Sequence, residues 1–162
     1  MNARQFQRQI LCYSDQVYRM ALSILKDKSR AQDLYQDLMM RIWEKRNQLE
    51  MIENRRAFLL TSIRNMCIDR LRKEPLTGEI PADAVEQYPD PYQLTAQSDM
   101  LRYIHHLIDG LPEMQRTIIR MKDVEELEIA EIAEILSISE NAVTVNLSRA
   151  RKKLREKIIE NQ

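Results

Sequence analysis

The chain has 162 residues, 44% of them hydrophobic, with 25 acidic side chains against 25 Lys and Arg. That apolar content supplies the core of one ordinary domain or two small ones and excludes wholesale disorder. Only two glycines occur, while Leu, Ile, Ala, Met, Glu, Gln, Arg and Lys abound, which excludes turn-rich β structure and predicts an all-α fold.

Phe6, Ile10, Tyr13, Val17, Ala21, Ile24 and Leu25 recur every three or four residues, predicting one amphipathic helix that ends near Lys26 to Ser29. A second helix is expected from about Arg30 to Lys45, with Leu34, Leu38, Ile42 and Trp43 facing inward. The stretch NQLEMIEN, Asn47 to Asn54, reads as a structured loop before a third helix, Arg55 to Arg72. That helix carries Phe58, Leu59, Ile63, Met66, Cys67, Ile68 and Leu71 on its apolar side. Cys12 and Cys67 both fall in apolar helical patterns, which predicts buried free thiols in a reducing compartment rather than a disulfide.

Pro75, Pro81, Pro89 and Pro91, four of the five prolines, fall with Gly78 between Glu74 and Gln97. Prolines remove amide donors and push the preceding residue out of the α region, so 74–97 is expected to be an irregular acidic linker. It separates two small helical domains, 1–73 and 98–162. The second opens with a helix near Ser98 to Asp109 that Gly110 is placed to cap, followed by one from about Pro112 to Asp123.

The stretch IAEIAEILSISENAVTVNLSRARKKL, Ile129 to Leu154, is spaced like a helix-turn-helix. Ile129, Ile132, Ala133 and Leu136 form the stripe of a short helix. Ser137, Ile138 and Ser139 make the turn, with Ser139 as N-cap, and Val143, Leu147 and Ala150 face back. That leaves Glu140, Asn141, Thr144, Val145, Ser148 and Arg149 on the face where a recognition helix meets base edges. The following Arg149, Arg151, Lys152, Lys153 and Arg155 suit phosphate anchoring.

Zero net charge hides a segregated pattern. Residues 1–72 hold 14 basic against 8 acidic side chains, 73–99 hold 1 against 6, 100–147 hold 4 against 9, and 148–162 hold 6 against 2. Two basic blocks therefore flank an acidic middle, which keeps phosphate binding open at both ends. The N-terminal MNARQFQRQI has no apolar signal core, and no run approaches the roughly 18 apolar residues that span a bilayer. There is no Gly-rich phosphate loop, nucleophile signature or Cys/His cluster. His105 and His106 are adjacent and so cannot form an i, i+4 metal pair. The sequence predicts a cytoplasmic protein that is not an enzyme, binds no cofactor or metal and does not insert into a membrane.

Taken together the two halves resemble the extracytoplasmic-function sigma factors of bacterial RNA polymerase, within the sigma-70 family. VYRMALSILKDKSRAQDLYQDLMMRIWEK is similar to the family's core-polymerase-binding helices, and RRAFLLTSIRNMCIDRLRK to its promoter −10 helix. GLPEMQRTIIRMKDVEELEIAEIAEILSISENAVTVNLSRARKKLRE is similar to its −35 reader. The resemblance implies regions 2 and 4 of that family as the two domains, and Asp33, Gln36 and Asp37 as the row that docks on the β′ clamp helices. It implies Asn65 and Asp69 as readers of unpaired −10 bases, with the loop from Leu49 to Asn54 capturing a flipped base. Arg55, Arg56, Arg64, Arg70 and Arg72 would then hold phosphates. At −35 it implies Asn141, Thr144, Val145, Ser148, Arg149, Arg151 and Lys152. The implied partners are core polymerase, including its β flap, promoter DNA and an anti-sigma factor.

The chain departs from the family pattern where Ser137 replaces the usual turn Gly and where Thr144 and Asn146 replace basic residues of the recognition helix. Bidentate Arg readout of guanine, about 1–3 kcal/mol per pair, is lost there. A second reading of the same residues is a stand-alone, dimeric helix-turn-helix regulator with palindromic half-sites.

Overall fold

The computed structural model describes residues 1–75 and 97–160. The chain divides into two compact units, Met1–Tyr88 and Pro89–Gln162, and the described residues of both are helical with no strand among them. The linker expected at 74–97 lies, apart from its ends, outside the described residues.

The first unit is built from α1 (Ala3–Gln9), α2 (Ser14–Leu25), α3 (Lys28–Glu44) and α4 (Arg55–Lys73). The single helix expected up to Lys26 is in fact two, separated at Ile10 by a 3-10 turn, Leu11–Tyr13. No Pro or Gly causes the break. Instead it lets α1 turn so that Phe6 meets Trp43 edge-on, with ring centroids 5.0 Å apart, while Ile10 remains fully buried. Tertiary packing here overrides helical periodicity. The break also carries Cys12 to the surface, contrary to its expected burial, whereas Cys67 is buried as expected and free.

Lys26 takes a left-handed φ of 53° and Asp27 caps α3 by accepting from the Arg30 N–H at 3.2 Å, so a two-residue corner joins α2 to α3. The Tyr35 hydroxyl and Ser14 Oγ lie 2.8 Å apart, tying the same two helices together. A 3-10 segment, Arg46–Met51, precedes α4, whose N-cap Asn54 accepts from the Ala57 N–H at 3.0 Å. Leu59, Leu60, Ile63 and Cys67 bury one side of α4 in the core with Val17, Ala21, Leu25 and Leu34.

The second unit comprises α5 (Gln97–Asp109), α6 (Glu113–Ile119), a π-helical turn Arg120–Val124, α7 (Ile129–Leu136) and α8 (Glu140–Glu160). Gly110 ends α5 through an N–H bond to Leu107 O at 3.2 Å, without the left-handed φ expected of a glycine cap. The helix predicted from Pro112 to Asp123 is continuous but widens to π geometry over its last turn. Arg120 pairs there with Asp109 of α5. Ile118, Leu127, Ile132, Ile135, Val143 and Ala150 are fully buried in the core.

Ser137 adopts φ 55° and ψ 44° between α7 and α8. The Ile138 N–H reaches back to Ala133 O at 3.1 Å, closing a Schellman turn, and Ser139 Oγ accepts from the Ala142 N–H at 3.0 Å. A left-handed non-glycine residue costs about 1–2 kcal/mol, partly offset because serine is less free than glycine when unfolded. Ser137→Gly is therefore expected to raise stability by about 0.5–1 kcal/mol, read as a higher midpoint in denaturant or thermal melts.

Burial pushes the Cys67 thiol up from 9.0 to about 12, against the opposing pull of Arg70. Its contribution to stability is therefore complete below pH 9.0 and is lost as pH rises toward 12. With iodoacetamide at pH 8, Cys12 should alkylate in the native protein and Cys67 only after unfolding; mass spectrometry of timed samples distinguishes the two.

Candidate polymerase and nucleic-acid surfaces

α3 buries Ala31, Leu34, Leu38 and Ile42 and turns Asp33, Gln36 and Asp37 to solvent. These three recur at i, i+3 and i+4, so they form one row, and Met40, 63% exposed, extends it by a turn. Two carboxylates and an amide beside an exposed thioether can make charge-assisted hydrogen bonds to a basic helix while burying apolar surface. Trp43, expected inward, is instead half out: Phe6 packs on its edge and the Arg46 guanidinium sits 4.1 Å from its ring centroid. Cation–π contact holds the start of the 3-10 segment against α3.

On α4, Asn65 and Asp69 are exposed one turn apart, with Arg72 exposed at the next turn. Arg55, Arg56, Arg64 and Arg70 are half-buried, their stems on the protein surface. Phe58, expected in the core, lies 39% exposed on this same outer face, because steps of four, three and four residues carry Phe58 through Ser62 and Asn65 to Asp69. That spacing was readable beforehand, yet an aromatic residue in an apolar run draws a core assignment. An exposed ring in line with an amide and a carboxylate has the chemistry to stack on and hydrogen-bond an unpaired base.

Leu49, expected to contact DNA, is only 3% exposed. It anchors the 3-10 segment to the core and so cannot touch a base from this position; Glu50, Met51, Glu53 and Asn54 are the exposed part of that loop. The Asn54 carbonyl oxygen is already engaged by its cap.

On α8, Asn141, Thr144, Val145, Ser148, Arg149 and Lys152 are all exposed and share one face, opposite buried Val143, Leu147 and Ala150. The Thr144 hydroxyl donates to Glu140 O at 3.0 Å, which leaves its oxygen as an acceptor. The Asn146 amide donates to Ala142 O at 2.8 Å. Arg151 differs from its neighbours. Its Nε lies 3.0 Å from Asp123 Oδ2 and its Nη2 2.6 Å from Asp123 Oδ1, a bidentate pair to the π turn. The structure thus brings together the α8 face but commits one of its expected phosphate contacts to an internal carboxylate.

A family model described as Sigma-70 region 2 matches residues 10–75, and one described as Sigma-70, region 4 matches residues 101–154. The extracytoplasmic-function (ECF) RNA polymerase sigma factor SigW of Bacillus subtilis is 27% identical, over 90% of this chain and 84% of that protein. SigX of the same organism is 26% identical, over 89% of this chain and 78% of that one. The Xanthomonas campestris protein RfaY, described as a probable RNA polymerase sigma factor, is 28% identical over 89% of this chain, which spans only 38% of RfaY. Among solved structures, the sigma factor RpoE in complex with the anti-sigma factor NepR from Bartonella quintana superposes with a TM-score of 0.74. It is 22% identical and covers 99% of this chain and 100% of RpoE. CnrH in complex with the cytosolic domain of CnrY gives a TM-score of 0.69 at 19% identity, over 99% of this chain and 92% of CnrH. With regions 2 and 4 in order and relatives of this kind along nearly its whole length, the chain belongs to the sigma-70 family of RNA polymerase sigma factors, in its ECF group.

Proposed function

We propose that this sigma factor binds core polymerase through the Asp33, Gln36 and Asp37 row, holds unpaired −10 DNA on the outer face of α4, and sets α8 in the −35 duplex. The observation that carries the reading is the outer face of α4: Phe58, Asn65, Asp69 and Arg72 in line, exposed, on a helix whose other side is core. Base edges and faces are open only on an unpaired strand, and such a row suits them. The docking row on α3 accounts for delivery to the polymerase through its β′ clamp helices, with α8 and the β flap as a second contact. Chemistry is left to the polymerase, and the chain works in the cytoplasm where that enzyme is. The anti-sigma factor NepR, bound to RpoE in one of the similar structures, supports a regulatory partner of that kind here.

Affinity for the −35 duplex comes mainly from cations. Thr144 and Ser148 offer single hydrogen bonds, and Val145 an apolar contact for a thymine methyl. Arg149 and Lys152 are exposed for phosphate, and Arg151 joins them only when it leaves Asp123.

In transcription with core polymerase and a promoter library, specific start sites are expected with the wild-type chain and not with the Asp33, Gln36, Asp37 triple alanine variant. The three residues are exposed, so stability should hold within about 0.5 kcal/mol for each substitution. Starts undiminished in the variant would move polymerase docking to another surface.

Asp123→Asn is expected to release Arg151 to phosphate. Anisotropy of duplex DNA over a salt series should then show a log–log slope steeper by about one. An unchanged slope would show that Arg151 is held for positioning alone. The pair is about half exposed, so its loss should lower stability by less than about 1 kcal/mol.

A further inference from the structure

Arg46 opens the 3-10 segment Arg46–Met51 and is half-buried although it carries a charge. Its guanidinium carbon sits 4.1 Å from the Trp43 ring centroid. Its Nη1 donates to the Trp43 carbonyl oxygen at 2.9 Å, and its Nε donates to the Met1 carbonyl oxygen at 3.2 Å. Trp43 lies in the last turn of α3, where helix carbonyls run out of amide partners. Met1 leads into α1, and Phe6 of α1 meets the same Trp43 ring edge-on. One guanidinium therefore ties together the approach to α1, the end of α3 and the start of the loop ahead of α4. A planar fork can do this where an ammonium cannot, because it stacks on the ring while its N–H groups reach in two further directions.

The segment depends on such a tie. 3-10 hydrogen bonds have poorer geometry than α-helical ones, and runs of this length are uncommon. Leu49, 3% exposed, fixes the middle of the segment, and the Asn54 cap fixes the chain where α4 begins. Arg46 fixes the near end. Between these points Glu50, Met51 and Glu53 stand exposed. With two donors committed to carbonyls and its face to an indole, Arg46 is not offered to phosphate in the way that exposed Arg72 is.

Resting on the sigma-factor reading, we propose that Arg46 is a positioning residue for promoter recognition: without touching DNA or polymerase, it registers the loop ahead of α4 against α3. Asp33, Gln36, Asp37 and Met40 occupy the same helix whose end Arg46 grips, so the loop is held in a fixed place relative to the docking row. Sharp base choice needs contacts placed to within about 0.5 Å, and a loosened loop cannot hold that tolerance. Loss of Arg46 therefore blurs base choice at the promoter positions that the loop reads. It leaves the positions read by α8, and docking on the core enzyme, as they were.

The test uses polymerase reconstituted with the full chain on a library randomised across the −10 and −35 regions, with transcripts sequenced and core affinity measured separately. Wild type should favour one base roughly tenfold at its most selective −10 positions, the scale of a single mismatched base. Arg46→Met keeps the apolar stem but loses the fork, and should cut that bias to below about threefold at a subset of −10 positions. Its −35 preferences and core affinity should match wild type. A general loss of structure would instead lower yield on every promoter without changing which bases are preferred. Arg46→Lys keeps the charge without the fork, should show the same loss of bias, and carries the comparison if circular dichroism shows reduced helix in Arg46→Met. Base distributions like those of wild type in both variants overturn the proposal. Full selectivity with Arg46→Lys and none with Arg46→Met also overturns it, because charge alone then suffices, as it does for a phosphate contact. Core affinity that falls in step with yield would place Arg46 in the docking surface and overturn its positioning role. No starts with the wild-type chain would overturn the sigma-factor reading, and this inference with it.

Discussion

The burial of Leu59, Leu60, Ile63 and Cys67 fixes the rotation of α4 about its own axis, and the first unit's candidate surfaces depend on that angle. Each residue advances about 100°, so Asn65 and Asp69, two positions beyond Ile63 and Cys67, point almost directly away from the core. Nothing polar is needed to aim them. Leu59 and Ile63 hold the helix face down because removing apolar surface from water is favourable at about 1.5–3 kcal/mol per such side chain. The outer residues are then free to be chosen for what they contact. The same logic runs through α3, where Leu34 and Leu38 set the direction of Asp33, Gln36 and Asp37.

In the second unit the corresponding constraint is the turn at Ser137. Its left-handed φ and the Ile138 to Ala133 hydrogen bond set the angle at which α8 leaves α7. Val143, Leu147 and Ala150 then lock the rotation of α8. Serine occupies a conformation that glycine adopts without penalty, yet the turn forms, because the buried contacts of Ile132, Ile135 and Leu136 outweigh a local cost of about 1–2 kcal/mol. Substitution of the usual turn residue thus alters stability without altering the fold.

Helices that present a single continuous stripe were legible in the sequence. α3, α4 and α5 fall within two residues of their expected bounds, α7 coincides with its expected stripe, and the N-cap of Ser139 was visible from residue type alone. What escaped was decided by contacts between distant segments. The corner at Ile10 follows from Phe6 reaching Trp43, a pairing that no local pattern encodes. Leu49 and Phe58 exchanged expectations for a related reason: whether an apolar residue beside a loop is anchor or platform depends on which neighbour covers it. The commitment of Arg151 to Asp123, 28 residues earlier, was equally invisible to a count of charges along one helix. Asp33, Gln36 and Asp37 on α3, Asn65, Asp69 and Arg72 on α4 and the expected residues of α8 stand exposed, while Arg55, Arg56, Arg64 and Arg70 are half-buried. The reach of Arg46 to Met1 emerged only once the chain was folded.

On the proposed reading, the absence of net charge suits the way the protein is used. A strongly basic chain would bind duplex DNA everywhere, since phosphate contacts carry no sequence information. Here the acidic stretch from 100 to 147 shares a unit with the basic tail, and Asp123 engages one of that tail's arginines. On that reading, free protein of this composition is expected to gain little from nonspecific DNA. On the proposed reading, tethering to polymerase supplies the effective concentration that weak individual contacts lack. A recognition helix with single hydrogen bonds in place of bidentate arginines then suffices, because it discriminates among positions already near the enzyme. Modest affinity at each surface, joined through polymerase, makes recognition depend on the elements being present together rather than on any one of them.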